Sequence, residues 1–142
     1  MAFDGTLVQL KKAGTSTYMN FPLRYIKTES YKVTPDQRME SSASRSATGL
    51  LKRTTCSHTA SKVDFTTITL TNSEVKEINK LLTDAYTDSQ QRKLELKYYN
   101  PSTDTYKTGE FYVPDIDFDI IRVEVDDRII HYDGIRIAFI EY

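Results

Sequence analysis

The sequence predicts a mainly β chain of the α+β class: an antiparallel β-sandwich or open barrel with one flanking α-helix, at about 73–86, and a long polar arm. Three observations carry this expectation. Apolar and polar side chains alternate with period two over much of the chain. One segment, Val75 to Ala85, switches to spacings of three and four, the signature of an amphipathic helix. Between Val33 and Leu50 the only large apolar residue is Met39, so residues 34–60 cannot order themselves through their own burial.

Taken in order, Leu7 and Leu10, then Phe21, Leu23 and Tyr25, predict two early strands, with Pro22 placing the second at a sheet edge or at its own first residues. Ser41 to Gly49 is rich in serine, and a structureless stretch of this length inside a domain is functional, disordered or ordered by a partner. Residues 34–60 therefore read as an arm reaching to another subunit, with a free loop as the alternative. Val63 and Phe65 share one parity and Ile68 and Leu70 the other, which predicts a strand broken near Thr66 and Thr67. Thr71-Asn72-Ser73-Glu74 has the spacing of a capping box, and Val75, Ile78, Leu81, Leu82 and Ala85 form the stripe that must pack on a sheet. Leu94, Leu96 and Tyr98 alternate with Glu95 and Lys97. Asn100 to Asp104 has turn chemistry, and Tyr106 to Val113 returns as the second strand of a hairpin. The closing strands are Ile116 to Val125 and Ile129 to Ile140, with a bend at Asp133-Gly134. The adjacent Ile120 and Ile121 switch parity and predict a bulge.

A chain of 142 residues suits one domain, 1–142, and can bury a core without metals or disulfides. No run approaches the roughly 20 apolar residues of a membrane-spanning helix. The start lacks a basic and then apolar leader, which predicts cytoplasmic synthesis without secretion; the lone Cys56 reads as a small filler in a strand. The net charge of −1 argues against nucleic-acid binding through bulk charge. That balance is uneven along the chain. Residues 1–65 hold ten bases and five acids, whereas residues 110–142 hold three bases and nine acids, a polarity suited to head-to-tail association.

Catalytic patterns are missing: neither His58 nor His131 lies in a motif, and there is no Gly-x-Ser-x-Gly and no phosphate loop. No enzymatic activity and no cofactor are expected. One constellation needs a partner or water. On a strand, Asp115, Asp117 and Asp119 project from one face at about 7 Å spacing, with Ile116, Phe118 and Ile120 on the other. A helix-flanked calcium loop is disfavoured because Ile120 stands where its glycine belongs.

The opening Phe3-Asp4-Gly5, the central Gly49-Leu50-Leu51-Lys52-Arg53-Thr54, the helix Glu74 to Ala85 and the closing Tyr132 to Tyr142 resemble small proteins encoded in the tail modules of siphophages and prophages of Gram-positive bacteria. The order of elements is also similar to the bacteriophage tail-tube fold. The resemblance implies a structural virion protein of the tube, the distal tail or the baseplate hub. It implies a homo-oligomeric ring, six-fold in such proteins, whose sheets join into an inner barrel that passes DNA without specific binding and which contacts neighbouring tail proteins. In that picture Asp115, Asp117 and Asp119 are candidate lumen-facing residues, where carboxylates repel phosphate. Arg38, Arg45, Leu50, Leu51, Lys52 and Arg53 are the candidate inter-subunit arm. A head-to-tail joining or tail-terminator protein is the near alternative. From another class, a monomeric carbohydrate-binding β-sandwich would use Tyr98, Tyr99, Tyr106 and Tyr112 as stacking platforms.

Overall fold

The computed structural model describes residues 3–142, and for Met39, Glu40, Ser41 and Cys56 the backbone alone, so the filler role expected of Cys56 lies outside the described residues. Val8–Lys11 (β1) and Tyr18–Asn20 (β2) pair as a short hairpin. Two 3-10 turns, Leu23–Tyr25 and Thr28–Ser30, lead into Lys32–Arg45 (β3) and Leu51–Thr66 (β4). Leu70–Thr71 (β5) precedes the helix Asn72–Ala85 (α1), followed by the hairpin Lys93–Asn100 (β6) and Thr105–Tyr112 (β7). Ile120–Glu124 (β8), Ile129–Tyr132 (β9) and Arg136–Glu141 (β10) complete the chain.

All the pairings are antiparallel and form two sheets: a seven-stranded one in the order β2-β1-β6-β7-β10-β4-β3, and a three-stranded one in the order β5-β9-β8. The expected class, mainly β with one flanking helix, is the class observed. The helix contacts β1, β5 and β9, so its apolar stripe covers the large sheet and reaches the small one. Ile78, Leu82 and Ala85 are buried there. The helix starts where the sequence places it, and the Glu74 carboxylate accepts from both the N–H and the hydroxyl of Thr71.

The core lies between helix and large sheet. Leu94, Leu96 and Tyr98 supply it from alternate positions of β6, with Phe111, Val63, Phe65, Ile137 and Phe139 from the strands alongside. Phe65 stacks edge-on against Phe21 at 5.1 Å between ring centroids and lies tilted at 6.2 Å from Phe139. Truncating a buried phenylalanine of this kind costs about 3–5 kcal/mol. At the Asp133-Gly134 bend, an added Cβ on Gly134 would stand 2.6 Å from the Thr67 carbonyl, which is why the close approach of this bend to Thr67 requires glycine.

Three expectations need correction. Phe21, Leu23 and Tyr25 do not form a strand: Pro22 opens a 3-10 turn that buries Phe21 and Tyr25 and leaves Leu23 exposed. Its fixed φ suits the start of a turn. Residues 34–60 are not a structureless arm but most of the β3–β4 hairpin, whose tip turns over 46–50. Residues 113–119 belong to no strand, so β8 begins only at Ile120. The register shift expected at Ile120 and Ile121 is present, between Ile120 and Arg122.

Candidate assembly surfaces

β3 and β4 run for 14 and 16 residues, yet β10 pairs with β4 only from Lys62 to Thr66. Beyond that stretch no third strand among the described residues pairs with either of them. Gln37 faces Ala60 and Arg45 faces Leu51, so a two-stranded ribbon extends about 30 Å past the body of the sheet. Three register irregularities, between Thr34 and Gln37, Arg38 and Glu40, and Glu40 and Ser42, twist it away from a flat strand. Such a ribbon is marginally stable by itself in water, so its direction depends on its root.

The root is a polar network that the sequence does not announce. The Asp36 N–H donates to Ser61 Oγ at 3.0 Å, and the Ser61 N–H donates to Glu141 Oε1 at 2.8 Å. Lys107 Nζ donates to Asp36 Oδ2 at 2.7 Å, which raises the lysine pKa above its ordinary value. Ser61 is buried, and Asp36 adopts a positive φ of 48°, which aspartate tolerates better than most residues. His58 Nε2 donates to the Tyr142 carbonyl at 2.8 Å, a second tie further out.

At the tip, the Ser46 N–H donates to the Leu50 carbonyl and the Gly49 N–H to the Ser46 carbonyl, with Gly49 at φ 87°. Arg45 Nη1 donates to the Gly49 carbonyl at 3.0 Å, bracing the turn, and Arg38 Nη1 reaches the Ser57 carbonyl at 3.3 Å. Every predicted arm residue is exposed: Arg38, Arg45, Leu50, Leu51, Lys52 and Arg53. Leu50 is 65% exposed, an apolar side chain held away from its own core.

The predicted acidic face is arranged differently from expectation. Asp115, Asp117 and Asp119 are all exposed, but only Ile116 of the apolar partners packs on the core. Asp115 pairs with Arg92, whose guanidinium pKa rises through that hydrogen bond. Phe118 stands edge-on to Tyr132 at 6.2 Å yet remains half exposed. No group of three or more histidine, cysteine, aspartate or glutamate side chains among the described residues is placed to hold a metal ion.

β8, which follows, is the outer strand of the small sheet and the surface feature the sequence reading missed. Ile120, Ile121 and Val123 are each 55% exposed, and Val125 beyond the strand end is 79% exposed. Alternating hydrophobicity here marks an extended chain and not a buried one. The available signal was the acidic flanks, Asp117 and Asp119 on one side and Asp126 and Asp127 on the other.

The chain belongs to a family of unknown function, DUF6711, whose model matches residues 1–142. No curated protein and no solved structure matches it. The family assignment therefore covers both surfaces, hairpin and edge strand, without stating their role.

The tyrosines weighed as sugar platforms are engaged internally. Tyr98 is buried; Tyr99 and Tyr106 stack edge-on at 5.7 Å, and Tyr112 meets Tyr142 at 5.6 Å. Tyr99 donates to Asp104, and Tyr106 to Asp4 and to the Thr6 carbonyl. Those rings are packed against each other rather than laid flat along a groove. No helix among the described residues is long and apolar enough to cross a membrane.

Proposed function

We propose that this chain is a structural, non-catalytic subunit of a bacteriophage or prophage tail, self-assembling into a ring at the tail tip or in the tube, through which DNA passes. The observation that carries the assembly part is the hairpin beyond Gln37 and Ala60. Its described side chains from Ser42 to Thr55 are all exposed, and among the described residues no third strand pairs with it. A ribbon with water on both faces gains little from folding, so a second copy is the natural source of its stability. The tail assignment is supported by the likeness of the Phe3-Asp4-Gly5, Gly49–Thr54 and Tyr132–Tyr142 segments to siphophage tail proteins. Deployment in the virion, contact with neighbouring tail proteins and non-specific DNA passage follow from that assignment.

The test is light scattering after size exclusion, with negative-stain microscopy, on the purified chain over a range of concentrations. Rings or stacked rings are the expected result, and a monomer at every concentration overturns the reading. A second chain, with residues 38–59 replaced by an Asn-Gly turn, is expected to fold, because the pairings Lys32–Asp64, Val33–Val63 and Arg136–Thr66 remain. It is expected not to assemble.

A further inference from the structure

β8 is the outer strand of its sheet, and its exposed apolar side chains span the bulge: Ile120 before it, Ile121 within it and Val123 after it. Such an edge, apolar and without a neighbouring strand, is a ready template for another strand. Its charge pattern selects the occupant. Asp117 and Asp119 precede the strand, Asp126 and Asp127 follow it, and Arg122 is already answered by Glu124 at 3.0 Å. The β3–β4 tip presents the converse. Leu50 and Leu51 are its exposed apolar centre, with Arg45 before them and Lys52 and Arg53 after.

We infer that β8 is the seat for the hairpin tip of a second copy of this chain: Leu50 and Leu51 cover Ile121 and Val123, and the tip bases face the aspartates flanking the strand. The inference rests on the assembly reading above and specifies its contact. A tip on one subunit and a seat on another make a heterologous, head-to-tail interface, the kind that closes into rings. The tip, about 30 Å out from the sheet, is long enough to reach a neighbouring body of this size. Asp117 and Asp119 then face a basic neighbour, a use that excludes the DNA-facing role their sequence suggests.

Two charge-reversed chains test this. One carries Arg45→Glu, Lys52→Glu and Arg53→Glu; the other carries Asp117→Lys, Asp126→Lys and Asp127→Lys. Each alone is expected to lose assembly, with an apparent dissociation constant raised at least about tenfold, because tip and seat then bear like charge. Mixed in equal amounts they are expected to assemble again as alternating copies, since each negative tip meets a positive seat and each positive tip a negative seat. Far-ultraviolet circular-dichroism spectra matching the parent, with cooperative melting, establish that both are folded. As a second measurement, Leu51→Cys and Val123→Cys in a Cys56→Ser background are expected to cross-link between copies on oxidation. Assembly of either reversed chain alone, failure of the folded mixture to assemble, or no cross-link in an assembling parent overturns the seat and leaves the ring reading standing. A parent that stays monomeric overturns the ring reading itself.

Discussion

The outer strands β3 and β8 solve the problem of an open sheet edge in opposite ways. β3 is long, and along it lie Lys32, Pro35, Arg38, Arg45 and a series of serines, with three register irregularities. Each of these discourages another strand from pairing alongside. β8 is short, carries one register irregularity and the charged pair Arg122 and Glu124, and still exposes Ile120, Ile121 and Val123. β8 is thus the more apolar of the two edges, and the assembly proposed above would cover it. The contrast teaches that two exposed edges can differ in kind: β3 offers water mainly serines and bases, whereas β8 offers it branched apolar side chains.

The comparison breaks most visibly at β8. Ile121→Lys with Val123→Lys is expected to convert the assembled protein to monomer, measured by sedimentation, with an unchanged far-ultraviolet circular-dichroism spectrum because both side chains are exposed in the single subunit. Ser42→Lys with Ser44→Lys on β3 is expected to leave the mass unchanged. Equal responses from the two edges would erase the distinction.

A smaller effect sharpens the guarded side. Glu141→Ala removes the acceptor of the Ser61 N–H and leaves that buried donor unpaired. The expected loss is about 1–3 kcal/mol in urea unfolding, with faster proteolysis within the hairpin. The smallest effect is pH dependent. Lys107 gains its raised pKa from Asp36, so its contribution is complete below the ordinary lysine value, near 10.4, and fades as pH rises through the higher folded value. The melting-temperature gap between the parent and Lys107→Met is therefore expected to hold at neutral pH and to close in strongly alkaline buffer.

What could be read from the sequence follows from where water lies. α1 and the β6–β7 hairpin have one wet and one dry face, so Ile78 and Leu82, or Leu94 and Leu96, appear at regular intervals. The β3–β4 ribbon is wet on both faces beyond its root. It therefore carries no alternation, and Thr54, Thr55 and Thr59, which suit strands, were the remaining hint. Phe21 and Tyr25 show the reverse error: a four-residue spacing of buried aromatics around Pro22 imitates a strand parity but is produced by a 3-10 turn. The candidate arm residues were legible as exposed and basic, though not as a strand pair. The root was not legible, because Asp36, Ser61, Lys107 and Glu141 come from four distant parts of the chain and each is unremarkable alone.

The position of β10 between β7 and β4 has a consequence for timing. The ribbon's base is made early in synthesis, but the strand that clamps it, Arg136–Glu141, emerges about seventy residues later. Until then the bond from the Ser61 N–H to Glu141 does not exist. The aim of the hairpin is therefore set by a strand made well after the hairpin itself.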